Sequence, residues 1–584
     1  MKFLRNLAAS VLGTILTLFI ICMLFVAIAS IAGSEEKISV DEQSVLVLAL
    51  EAPVKDYAPK SGDPLDELFN LSEEKTDLNQ LLNALENAST DDRIKGISIR
   101  TNGVNAGMSQ THAIRRKLAA FKETGKFILS YADFYDQKTY YLSSVADTVY
   151  VHPAGAVDFK GLSGEILYYK DLQDKTGISM EVVRHGKYKS AVEPYLANKM
   201  SAENREQITA FLQSIWNELL ADISESRAIS TDKLNDIADK LLGRNASLAT
   251  QNNLVDAAVY WDEYEQRLKQ AVGIDSDESL ETISIQDYIA TGKGRILSKG
   301  TDKIAVIYAQ GEIQYGKGNE DIIGQDLMIE ALKKVRKDSK VKAVVLRVNS
   351  PGGSALASEL IWRELALTKE KLPLVVSMGD VAASGGYYLA CNADKIIAEP
   401  TTITGSIGVF GVLPNASKLA DNIGINAEQV STNQGATYSI FEPMSPAFRS
   451  VTKEGVEQVY DTFLKRVSDG RNMTVEAVDK VAQGRVWAGV EALEAGLVDG
   501  LGGLEEAIAQ AAKLADISTY KIRSYPRYQV AIQDKLNSFP FLRSKEDILQ
   551  ETLGEEAHQL YSRVRSFSRV KGVQARMPFA LEIR

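Results

Sequence analysis

Ser384 is the residue best placed to act as a nucleophile. It lies in Asp380-Val381-Ala382-Ala383-Ser384-Gly385-Gly386-Tyr387-Tyr388, with small residues before it and two glycines after it. The apolar run 372–376 leads in and reads as a buried parallel strand, and 387–393 leads out as a helix. A hydroxyl on such a strand-to-helix bend projects from thin backbone, where a substrate carbonyl can reach it. The N–H of Gly385 is expected to point into the same space, where it suits a developing oxyanion. A small-residue turn packed on a neighbouring strand has the same local pattern, so the rest of the chain must decide. A second glycine loop, Asn349-Ser350-Pro351-Gly352-Gly353-Ser354, also follows an apolar run. Its amides can form a nest facing an anion, or simply a turn.

A serine needs a base. No histidine occurs in the second half of the chain before His558, so a Ser-His-Asp triad would need one from the first half. A lysine serves instead if burial lowers its pKa towards neutrality. The first half carries His185-Gly186-Lys187-Tyr188-Lys189-Ser190-Ala191-Val192-Glu193-Pro194. That segment supplies the candidate bases, although most lysines are solvated surface residues. The four histidines, His112, His152, His185 and His558, show no metal-ligand spacing. The two cysteines, Cys22 and Cys391, suggest neither a disulfide framework nor a thiolate metal site.

The elements that must hold these groups alternate. Strands are expected at 44–50, 94–100, 126–131 and 148–152, with helices at 77–88 and 138–145. That order argues for parallel β/α units. The second half repeats it from a strand at 303–308 onward. Residues 340–349 match 93–102; at the same offset Tyr387-Tyr388-Leu389 matches Tyr140-Tyr141-Leu142, and Ala393-Asp394 matches Ala146-Asp147. With small gaps, Met444-Ser445 matches Met200-Ser201, and Leu497-Val498-Asp499 matches Leu254-Val255-Asp256. Each half has a helical section before its closing strand, at 202–224 and 453–468. A repeat this long is a tandem domain duplication, since a solenoid's period is about 20–50 residues. The expected division is a membrane segment at 1–36, a first repeat at 37–275, a charged flexible linker at 276–300, a second repeat at 301–534, and a tail at 535–584 with a helix at 548–564.

The halves differ where chemistry would sit. Ser384 corresponds to Gln137, and Gly385 and Gly386 to Lys138 and Thr139. The Pro-Gly-Gly loop corresponds to Asn102-Gly103-Val104-Asn105-Ala106-Gly107, and the lysine-bearing segment to Gln434-Gly435-Ala436-Thr437-Tyr438-Ser439, which has no lysine. The nucleophile is kept in one half and the candidate bases in the other.

At 584 residues the chain needs more than one core. Its 45% hydrophobic and 24% charged content is that of a globular protein, and a net charge of -11 gives no general affinity for nucleic acid. Residues 7–33 contain no charge, a length that spans a bilayer. Lys2 and Arg5 precede the run and Glu35 and Glu36 follow it, which orients the N-terminus to the cytoplasm. An uncleaved signal anchor is expected, with a signal peptide cut at Ala27-Ile28-Ala29 as the alternative.

The ectodomain resembles the signal peptide peptidase A (protease IV) family in its long, tandem form. The resemblance is carried by R-V-N-S-P-G-G-S (347–354), G-D-V-A-A-S-G-G-Y-Y (379–388), T-G-S-I-G-V-F-G (404–411) and G-K-Y-K-S-A-V-E-P (186–194). It implies a Ser/Lys-dyad serine endopeptidase on tandem α/β domains of the Clp protease/crotonase-like β/α spiral, behind an N-terminal transmembrane helix. It implies Ser384 as nucleophile and Lys189 as general base, with Lys187 the weaker choice. Ser406 would orient the lysine, and Gly353 and Gly385 would supply oxyanion amides. It further implies no cofactor or metal, remnant signal peptides and other apolar peptides as substrates, the membrane as partner, a homotetramer, and a bacterial inner-membrane protein with its body in the periplasm.

Two other classes use the same kind of fold. A crotonase-like acyl-CoA enzyme would use similar glycine loops, but an exported body and a serine turn count against it. A non-catalytic scaffold on the same fold is opposed by the intact Ser/Lys pair. Fold alone does not separate them.

Overall fold

In the computed structural model, which describes residues 2–32, 38–59, 75–296, 300–433, 438–528 and 573–577, the apolar runs build two sheets, one in each half. The first is wholly parallel. From edge to edge it runs Ala257–Ala258, Thr148–Val151, Phe127–Ala132, Ile94–Ile99, Ser44–Leu48 and Thr282–Ser284. The second runs Val486–Ala488, Ile403–Gly405, Leu374–Ala383, Val341–Ser350, Asp302–Gln310 and Tyr520–Tyr525, with only Val486–Ala488 antiparallel to its neighbour. Asp302–Gln310 and Val341–Ser350 are buried along almost their whole length. Strands covered on both faces need apolar residues at successive positions, which is why they read as continuous runs.

Helices cover these sheets. Leu78–Thr90 begins where the Asp77 side chain accepts a hydrogen bond from the Gln80 N–H, and it buries Leu78, Leu81, Leu82 and Leu85 along one face. The residues that repeat in sequence make repeated bonds. Ser201 and Ser445 each cap a 26-residue helix, Ala202–Arg227 and Pro446–Arg471. Tyr140 donates to the Leu254 carbonyl at 2.9 Å and Tyr387 to the Leu497 carbonyl at 2.8 Å. Asp256 accepts from the Val149 N–H and pairs Arg227; Asp499 accepts from the Ile396 N–H and pairs Arg471.

A third sheet joins the halves. Its order is Ile322–Gly324, Glu312–Gln314, Gly352–Ser354, Val573–Arg576, Val409–Asn415 and Ser179–His185. The last of these belongs to the first half, yet it pairs antiparallel along Val409–Asn415 of the second. The halves also meet at a buried ion pair, Asp56 with Arg347 at 3.0 Å. Asp380 accepts from the Ser109 N–H at 2.8 Å and the Gln110 N–H at 3.3 Å, so the second half caps a helix of the first, Met108–Lys122.

The structure departs from expectation in two places. Part of the segment expected to be a flexible linker is ordered: Thr282–Ser284 extends the first sheet, and Ile283, Ile285 and Tyr288 are buried beneath it. Alternate apolar residues there, hidden among charges, find a sheet edge to cover. The second departure concerns the membrane. Helix Lys2–Ala32 forms, but among the described residues no helix is long and apolar enough to cross a membrane. The transmembrane helix, the membrane-anchored activity, the membrane partner and the single-pass inner-membrane placement are therefore corrected. The homotetramer finds no support in this single chain. The expected tail helix at 548–564 lies outside the described residues.

Candidate active site

The strand Leu374–Ala383 ends at Ser384, and the helix Gly385–Ala390 starts immediately after it. The reversal is tight enough to hold Ser384 at φ 55°, ψ -113°, a conformation an L-residue seldom adopts. Such strain costs about 1–3 kcal/mol and persists only when the surroundings fix it. Here the Ser384 N–H donates to the Gly405 carbonyl at 2.8 Å, and its carbonyl accepts from the Tyr388 N–H. Small residues are required after the serine. A methyl on Gly385 would stand 2.8 Å from the Ser358 Oγ, and one on Gly386 would stand 2.7 Å from the Ser350 carbonyl oxygen.

Lys189 reaches this serine from the first half. Its Nζ lies 2.9 Å from the Ser384 Oγ, 3.0 Å from the Ser406 Oγ and 3.1 Å from the Ser406 carbonyl oxygen. All three side chains are fully buried. Burial alone pushes the Lys189 amine well below the usual lysine range, because an ammonium there loses its water and no neighbouring charge compensates. A neutral amine has a lone pair, and at this distance it can accept the proton of the Ser384 hydroxyl.

The lysine is delivered by backbone docking. Ser179–His185 pairs with Val409–Asn415, and beyond it the Tyr188 N–H donates to the Gln483 carbonyl at 2.9 Å. Gly484 sits at φ 81° directly against the lysine; a methyl there would lie 2.6 Å from both the Lys189 Cβ and N. Gln207 holds the far side, donating to the Tyr188 carbonyl and the Ser190 Oγ while accepting from the Val486 N–H. The other candidate bases stay outside. Lys187 is exposed and its Nζ lies 4.8 Å from the centre of the Tyr188 ring, while His185 stacks on Tyr460 at 4.0 Å.

The two glycines expected to supply amides lie beside Ser384. Gly385 follows it in the chain. Gly353 lies in the short strand Gly352–Ser354 at φ 152°, so close to Ile313 that a methyl would stand 2.0 Å from the Ile313 carbonyl oxygen. The strand Val573–Arg576 runs antiparallel along Gly352–Ser354 and covers this corner of the site.

A buried amine on a strained serine is an arrangement suited to hydrolysis, and comparison with known proteins agrees. The model of peptidase family S49 matches twice, over residues 120–275 and 366–518. The chain belongs to peptidase family S49. Among its S49 relatives, Protease 4 of Haemophilus influenzae is 36% identical over 527 residues, covering 88% of this chain and 84% of the relative. Protease 4 of Salmonella typhi is 37% identical over 472 residues, or 79% and 76%. The chloroplastic serine protease SPPA of Arabidopsis thaliana is 34% identical over 486 residues, or 82% and 70%. A ClpP1 mutant from Listeria monocytogenes covers 35% of this chain and 94% of its own at 14% identity, but its TM-score of 0.24 is too low to bear on the fold. As an S49 member of the signal-peptide-peptidase type, the protein is a Ser/Lys serine endopeptidase. The acyl-CoA and scaffold readings fall with that assignment.

Some contributors left no sign in the sequence. The Ser406 backbone carbonyl is as close to the lysine as its hydroxyl, and Gly484 makes room for the lysine backbone. A lone glycine in Gln483-Gly484-Arg485 has no chemistry to mark it. Asp380 and Arg347, within the motifs, clamp the halves together rather than facing the dyad.

Proposed function

We propose that Ser384 is the nucleophile and Lys189 its general base, in a peptidase whose first repeat (37–275) brings the base and whose second (301–534) brings the nucleophile. The carrying observation is the 2.9 Å contact between the Lys189 Nζ and the Ser384 Oγ in a site with no exposed surface. The neutral amine accepts the hydroxyl proton as the oxygen attacks a peptide carbonyl. The Gly353 and Gly385 N–H groups hold the developing oxyanion. The new ammonium then gives its proton to the leaving amine, an acyl-enzyme remains, and water releases it by the reverse sequence. Ser406 positions the amine by accepting its other protons at the hydroxyl and carbonyl oxygens.

The test is labelling with a fluorophosphonate, which reacts with an activated serine. Tryptic mass mapping is expected to place the adduct on Ser384 and to lose it in Lys189→Ala. An adduct on another serine, or undiminished labelling of the lysine variant, would overturn the assignment.

A further inference from the structure

Behind Lys189 lies a cluster of amides and hydroxyls that takes no part in the proton transfer. Asn204 and Gln207 stand one turn apart on Ala202–Arg227, and with Ser190 and Glu193 they are buried. Amide side chains are costly to bury unless each finds partners. Here each does. The Gln207 Oε1 accepts from the Val486 N–H at 3.2 Å, which turns its nitrogen towards the lysine segment. That nitrogen lies 3.1 Å from the Tyr188 carbonyl oxygen and 2.9 Å from the Ser190 Oγ. The two residues that flank Lys189 are thus held by one side chain. The Ser190 hydroxyl donates onward to the Asn204 Oδ1 at 2.8 Å, and the Asn204 Nδ2 donates to the Glu193 Oε2 at 2.8 Å.

The far end of this bridge leads back to the nucleophile. Val486–Ala488 pairs antiparallel with Ile403–Gly405. The Gly405 carbonyl accepts from the Ser384 N–H, and the Ser406 N–H donates to the Arg485 carbonyl at 2.6 Å. Ser406 in turn receives the Lys189 amine at its hydroxyl and carbonyl oxygens. Gln207 therefore ties the lysine's backbone to the strand that seats both the acceptors of its amine and the backbone of Ser384.

The other repeat shows what the helix carries where no lysine needs holding. Ala202–Arg227 and Pro446–Arg471 are both 26 residues long and both capped by a serine, so Asn204 and Gln207 correspond to Phe448 and Val451. Phe448 stacks on Tyr438 at 5.5 Å, and Val451 is exposed. The helix folds without the two amides, and they occur in the repeat that brings the base.

Resting on the Ser384/Lys189 reading, we infer that Gln207 is a positioning residue for the general base, holding the Lys189 backbone at a fixed distance from Ser406 and Ser384. Its hydrogen bonds go to Tyr188, Ser190, Asn204 and Val486, so it acts on the reaction through Lys189. Asn204, oriented by Glu193, and Ser190 keep the Gln207 amide in place.

The experiment measures kcat and KM on fluorescein-labelled casein across pH, per folded molecule counted by near-ultraviolet circular dichroism. Gln207→Met keeps the side chain's length and removes its polar end. A displacement near 1 Å at a catalytic group costs about 10²-fold, so kcat is expected to fall about 10- to 100-fold with KM unchanged. The pH midpoint of kcat/KM is expected to move up, because a looser amine keeps more of its water when charged. Ser190→Ala removes one of the two grips and is expected to shift both quantities the same way by less, which keeps the test open if Gln207→Met does not fold. Trp216→Phe is the control on the same helix: it loses the bond from its indole N–H to Asn235 and is expected to melt lower with wild-type kcat and midpoint. A wild-type kcat and midpoint in Gln207→Met, or in Ser190→Ala should Gln207→Met not fold, overturns the inference and leaves the dyad standing. So does a loss of kcat that Trp216→Phe matches with no movement of the midpoint. Undiminished hydrolysis by Lys189→Ala in the same assay refutes the dyad reading, and the inference with it.

Discussion

Gly484→Ala tests whether the lysine's backbone seat sets the rate. The residue makes no contact with the serine, so its effect must pass through Lys189. A methyl at 484 would lie 2.6 Å from the Lys189 Cβ and N and 2.7 Å from its Cα. Carbon contacts settle at about 3.5–4.0 Å, so the two segments must part by roughly 1 Å. The Nζ–Oγ distance, now 2.9 Å, then passes beyond hydrogen-bond reach. A misplacement of that size costs about 10²-fold in rate. The residue also sits at φ 81°, where a side chain costs about 1–2 kcal/mol of stability. Gly496→Ala provides the control: its φ is 71°, but the nearest atom to a new methyl is the Met473 Sδ at 4.0 Å. Both variants are expected to melt a few degrees lower, and only Gly484→Ala to lose kcat on casein and fluorophosphonate reactivity at Ser384. A Gly484→Ala enzyme with wild-type kcat, or equal losses in both variants, would refute the argument that this glycine seats the base.

Ser384→Ala and Lys189→Ala are each expected to abolish casein hydrolysis while melting cooperatively, and the double variant to be no worse than either, because the pair acts as one unit. Ser406→Ala leaves the carbonyl contact at 3.1 Å and is expected to slow kcat without abolishing it, measured by initial rates. Since Lys189 must be neutral and burial lowers its pKa, kcat/KM is expected to rise with pH and level off below the ordinary lysine value of about 10.4. Stability carries the same sign. Between the lowered folded value and the unfolded one, the native state binds fewer protons, so stability rises with pH there, and Lys189→Met is expected to remove that slope in urea titrations.

Much of the site was legible because its signals are local. A strand, a small-residue bend and a helix around Ser384 lie within one short segment, and the repeat made Gln137 its visible counterpart. The loss of the lysine from the second half pointed to a base brought from the first. What stayed hidden depends on distant backbone. The pairing of Ser179–His185 with Val409–Asn415 has no local pattern, because the two strands are far apart in sequence. Thr282–Ser284 looked like linker because exposed charges surround its single buried Ile283. Val573–Arg576 was unreadable for a different reason: three of its five partners, Gly352, Gly353 and Gly411, are glycines, which leave little alternation to match. The uncharged length 7–33 is the opposite case: it reads as a span, yet among the described residues no helix is long and apolar enough to cross a membrane.

The strand Ser179–His185, seated in the other half's sheet, makes the dyad a coincidence device. Synthesis produces the base first and the serine much later, so no growing chain carries a competent site until the second sheet has formed and accepted that strand. A cell making this protease is thereby protected from it during translation.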